Sequence, residues 1–157
     1  MNRFILTIIL GFVASFTFAQ VKCESGYFIV SEGNYPKMTV YKITRALKTL
    51  DKECIESNAE YGEVLNEYIF YCLAYCSDTL LTVLEKNKCQ PFYEMVLNEV
   101  ANPVSDIYEF KAIYCNIKNY KKGKKSKPRD ELLTNFEKGI VDILPNYKEV
   151  KNSSCDK

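Results

Sequence analysis

The sequence predicts an all-α fold, a small disulfide-stapled bundle of about five helices. Three observations predict it. Apolar residues recur every three or four positions through successive segments, the repeat of one face of an α-helix. No stretch of any length alternates apolar with polar residues, as a half-buried strand would. Seven cysteines follow an export-type N-terminus, a combination that points to three disulfides and one leftover thiol.

Residues 1–19 read as a signal peptide. Arg3 supplies the basic start, Phe4 to Phe18 is a largely apolar run without charge, and Thr17-Phe18-Ala19 suits cleavage before Gln20. At 15 residues the run is shorter than the roughly 20 needed to cross a bilayer. The expected product is secreted and extracellular, with residues 20–157 forming a single helical domain.

Gln20 to Tyr35 reads as irregular, with a short extended piece at Tyr27–Val30 and one cysteine, Cys23. Pro36 fits a first helical turn, where its missing N–H is no loss. A first helix follows over Lys37–Ser57, with Ile43, Leu47, Leu50 and Cys54 at helical spacing. The central helix, from about Tyr61 to Cys89, is the element the rest is organised around. Its apolar face runs Leu65, Ile69, Cys72, Cys76, Leu80, then Val83 and Leu84. Ser77-Asp78 is placed to kink it, because both side chains compete for backbone hydrogen bonds.

Pro91 opens a third helix holding Phe92, Met95, Val96 and Val100, and Asn102-Pro103 stops it. The fourth spans Ser105–Tyr120, with Ile107, Phe110, Tyr114 and Ile117 inward and Cys115 beside them. Lys121 to Arg129 reads as a loop. The fifth helix, Asp130–Leu144, turns Leu133, Phe136, Ile140 and Ile143 inward and ends at Pro145; Cys155 lies in the tail.

Antiparallel helices on short connections share levels along their axes, which ranks the cysteine pairings. Cys115 is expected at the level of Cys89, so that these two bond. Cys72 and Cys76 are expected to fasten Cys23 and Cys155 of the two chain ends. On an undistorted helix their own Cβ atoms stand about 5–6 Å apart, against about 3.8 Å in a disulfide, so they are not expected to bond each other. Cys54 is the expected unpaired thiol, with a disulfide-linked dimer as one consequence.

The chain has no histidine. That removes Ser-His-Asp and Cys-His catalysis and the zinc-protease motifs. No G-x-S-x-G, phosphate-binding loop or dinucleotide fingerprint is present. Glu60, Glu63 and Glu67 form a stripe best read as a solvated face. The expectation is therefore a protein that is not an enzyme and carries no cofactor or metal.

Charge is segregated. Asp51 to Glu109 carries 12 acids against 3 bases, and Lys111 to Arg129 carries 8 bases and no acid. The bases Lys121, Lys122, Lys124, Lys125, Lys127 and Arg129 are the expected site for an anionic partner. In an exported chain that partner is an extracellular protein, a sulfated glycan or an anionic membrane surface, rather than nucleic acid. Asn152-Ser153-Ser154 is a glycosylation sequon. Tyr61, Tyr68, Tyr71 and Tyr75 on the central helix suggest core, or the lining of a cavity for a small hydrophobic ligand.

The Cys72-x-x-x-Cys76 spacing on a helix in an exported all-α chain resembles the six-cysteine insect odorant-binding proteins. Those have closely spaced later cysteines, whereas 25 residues separate Cys89 from Cys115 here, so no function is carried over. The expected function is binding of an extracellular target, in the manner of a venom toxin or secreted effector. The alternative is an extracellular carrier of a small hydrophobic ligand.

Overall fold

Side-chain caps set half of the helix starts. In the computed structural model, which describes residues 22–25, 37–106, 108–141, 143–152 and 154–155, the Thr39 side chain accepts from Lys42 N and opens α1, Val40–Thr49. Asp51 accepts from Cys54 N and opens α2, Lys52–Ser57. Asn58 accepts from Glu60 N and opens α3, Ala59–Tyr75. After a break at Cys76 comes α4, Ser77–Lys86. Pro91 stands in the first turn of α5, Pro91–Ala101, where a residue without an N–H costs nothing. The remaining helices are α6, Phe110–Asn119, α7, Lys127–Ile140, and the short α8, Tyr147–Lys151. Residues 22–25 form one further helical turn, and no strand occurs among the described residues. The signal peptide and the extended piece at Tyr27–Val30 lie outside the described residues.

The all-α, disulfide-containing bundle is as predicted, in finer pieces. The first predicted helix is two, because Asp51 caps a new start directly after Leu50. Its apolar period runs unbroken across that joint, so Ile43, Leu47, Leu50 and Cys54 are all buried. The fourth predicted helix starts at Phe110 rather than Ser105. Residues 102–106 are irregular, and their backbone is tied down by a distant side chain, Asn66, described below. The fifth starts three residues early, at Lys127, because Ser126 accepts from Arg129 N as its N-cap and Pro128 fits the first turn.

α3 and α4 form the centre. α2, α5 and α6 pack on α3, while α1, α6 and α7 pack on α4. α5 and α7 pack closely against each other, and Gly139 permits it. A Cβ there would lie 2.8 Å from the carbonyl oxygens of both Val100 and Ala101. Between these layers Phe70 stacks on Tyr108 at 4.3 Å, with Phe110 and Phe136 packed around the pair. α8 lies on α6 and α7.

That topology corrects the disulfide scheme. Cys54 is not the unpaired thiol; it bonds Cys23. Cys115 bonds Cys155, not Cys89. Antiparallel packing on short connections would bring Cys115 level with Cys89, but α6 packs on α3, α4 and α7 and meets α8, which delivers the tail to Cys115. Cys72, Cys76 and Cys89 are the free thiols, so Cys72 and Cys76 fasten neither chain end.

Candidate functional site

A concavity lies between α2 and α5, with the end of α1 at its back. Its floor is apolar: Leu47 of α1, Ile55 of α2, and Phe92 and Met95 of α5. α2 and α5 both pack on α3, which brings these side chains to one groove. The volume is about 880 Å³, within the range of about 300–1,000 Å³ typical of small-molecule sites.

The rim is acidic. Asp51, Glu53 and Glu56 come from the α2 side, and Glu94 and Glu99 from α5, against a single lysine, Lys48, among the described lining residues. Asp51 is partly committed, since it caps α2 and pairs with Lys22. Glu53 and Glu94 are exposed. Burial holds the Glu99 carboxyl above the usual range, and the amide of Asn66 opposes this by donating to it.

Asn66 itself is fully buried in α3. Its Nδ2 donates to Glu99 O at 3.0 Å, Glu99 Oε2 at 2.9 Å and Asn102 O at 3.0 Å. Its Oδ1 accepts from Val104 N at 3.2 Å and Tyr108 OH at 3.3 Å. One side chain thus caps α5, holds the following turn and fixes the carboxylate that faces the groove.

The bases predicted to form one patch are divided by the structure. Lys121 pairs with Glu85, Lys127 with Glu131 at 3.2 Å, and Arg129 with Asp130 at 2.9 Å. Arg129 also donates to the carbonyls of Tyr120 and Lys121. Lys122 and Arg129 line a small recess beside Cys155. Lys124 and Lys125 are exposed on the turn that Gly123, at φ 82°, makes possible. Asn152 of the sequon is exposed at the end of α8.

The tyrosines predicted as one stripe do not line the groove. Tyr68 is buried and donates to Met38 Sδ at 3.9 Å, while Tyr75 is 59% exposed and packs against Tyr71. The groove escaped sequence reasoning because its acids lie in two segments some forty residues apart, which read only as a charge run. Comparison with protein-family models, curated proteins and solved structures finds no match to this chain.

Proposed function

We propose that the chain is an exported, non-catalytic binding protein, and that the α2–α5 groove takes a small amphiphile with an apolar body and a cationic head. The observation that carries this reading is an apolar floor enclosed by a rim of five carboxylates and one lysine. Apolar surface supplies affinity, and the rim selects the sign of the headgroup. Met95 suits the floor of such a site, since an unbranched thioether adapts to irregular ligands. The carrier alternative is thereby preferred, with its cavity placed between α2 and α5 rather than along the tyrosines. Disulfides, and the lack of any helix among the described residues that is long and apolar enough to cross a membrane, accord with export.

Calorimetric titration with dodecylamine and dodecanoate, each below its micellar concentration, tests this. Dodecylamine is expected to bind at one site and dodecanoate at least ten-fold more weakly, about 1.4 kcal/mol for rim charges that are mostly wet. Equal affinities would remove the rim from the account.

A second reading, toxin- or effector-like recognition of a sulfated glycan, rests on Lys124 and Lys125. Both are exposed on a turn held by the Glu85 contacts of Lys121 and Ser126. Substituting the two by alanine is expected to reduce retention on a heparin column. Unchanged retention sets this reading aside.

A further inference from the structure

Cys72 and Cys76 stand one turn apart, and the helix that would hold their side chains at ordinary spacing ends between them. Cys76 terminates α3 and begins α4 with φ −146° and ψ 41°, while its N–H still donates to Cys72 O at 2.8 Å. Four residues of helical rise put the Cα atoms of such a pair about 6 Å apart, inside the range of about 4.4–6.8 Å that a disulfide spans. The obstacle in a regular helix is the direction of the Cβ atoms. At Cys76 the non-helical φ turns the Cα–Cβ bond about the N–Cα axis, away from the direction it holds in a regular helix.

The two cysteines differ in access and in chemistry. Cys72 is fully buried, whereas Cys76 is half-buried. Burial pushes the Cys72 thiol up, and the hydrogen bond from Cys72 brings the Cys76 thiol down. Cys76 also occupies the N-cap of α4, where the exposed N–H groups favour a thiolate. No third Cys, Asp or Glu joins them in a metal-holding cluster among the described residues. The remaining free cysteine, Cys89, is exposed at the far end of α4.

We propose that Cys72 and Cys76 are a redox-active dithiol that closes into a third intrachain disulfide by exchange with a small disulfide such as oxidised glutathione. The Cys76 thiolate attacks one sulfur of the small disulfide, giving a mixed disulfide and releasing one small thiolate. Cys72 then attacks the Cys76 sulfur, the Cys72–Cys76 bond forms, and the second small thiol leaves with the Cys72 proton. Two protein thiols are oxidised and one small disulfide is reduced to two thiols, so electrons and protons balance. Three disulfides and one leftover thiol result, with Cys89 rather than Cys54 left over.

The test equilibrates the purified, natively folded chain with reduced and oxidised glutathione at varied ratio, then quenches in denaturant with N-ethylmaleimide. Non-reducing peptide mapping reads the products. Under oxidising ratios the peptide holding Cys72 and Cys76 is expected to lack alkylation and to be two hydrogen masses lighter, while Cys89 is alkylated or glutathionylated. The Cys72→Ala variant is expected to stop at a glutathione adduct on Cys76, and far-UV circular dichroism checks that it folds. Full alkylation of Cys72 and Cys76 at every ratio overturns the proposal. So does a Cys76–Cys89 link.

Discussion

Asn66, buried in α3, donates to the Glu99 carboxylate of α5 at 2.9 Å, so the polar centre of the core and the wall of the groove are one structure. Removing that side chain takes a partner from the Asn102 carbonyl, the Glu99 carboxylate, the Val104 amide and the Tyr108 hydroxyl, while the Glu99 carbonyl keeps the Asn102 N–H. Each buried orphan costs about 1–3 kcal/mol. Asn66→Leu is therefore expected to lower unfolding free energy by about 3–5 kcal/mol, measured by urea denaturation. A loss below about 1 kcal/mol would mean that water replaces the amide.

The burial of Glu99 gives the groove a pH dependence. Burial raises the Glu99 pKa, so its ionisation opposes folding, and that contribution to stability is present in acid and lost as pH rises through the raised carboxyl range. A bound cation favours the carboxylate and reverses the effect. Affinity for dodecylamine is expected to increase with pH across that range and level off above it, with proton release on binding. Glu99→Gln should flatten the profile. Titrations in two buffers of different ionisation enthalpy check the proton release.

Among the described residues two glycines, Gly62 and Gly139, lie in helices and are expected to respond oppositely to alanine. At Gly139 a Cβ meets backbone of α5 at 2.8 Å, so α5 and α7 must separate, at about 1–3 kcal/mol. At Gly62 the nearest atom is the Ile55 side chain at 3.3 Å, which can shift. Gly62→Ala should then be neutral or stabilising by up to about 1 kcal/mol, through helix propensity. Thermal unfolding of the two variants decides between these signs.

The disulfides close loops of 31 and 40 residues in sequence. Chain-entropy arguments give each about 3–4 kcal/mol. Cys23→Ala with Cys54→Ala, and Cys115→Ala with Cys155→Ala, are expected to lose that much each in denaturant titrations. A loss near zero for the first pair would imply that residues 22–25 dock without their bond.

The apolar period of the central segment was legible because its inward residues are local: Leu65, Ile69, Cys72, Leu80, Val83 and Leu84 are all buried. The break after Leu50 was not, since the period passes through it and only the Asp51 cap marks it. Nor was the late start of α6, because the partner of the irregular 102–106 backbone is Asn66, nearly forty residues earlier. Cysteine pairing failed for the same reason. It depends on which helices touch, and the tail reaches Cys115 through α8. The groove is likewise a meeting of Asp51–Glu56 with Glu94–Glu99, two stretches that spacing alone leaves unrelated.

The site assignment is tested most directly by methyl NMR on protein labelled at methionine. The chain has three methionines, Met1, Met38 and Met95. Met95 lies on the groove floor, and Met38 packs against the core beside Tyr68. Titration with dodecylamine is expected to shift the Met95 methyl resonance in a saturable way and leave Met38 in place, with the Met95 shift weakened in Glu53→Gln/Glu94→Gln. A saturable shift of Met38 with Met95 unmoved, or binding without any change at Met95, would contradict a ligand in the α2–α5 groove.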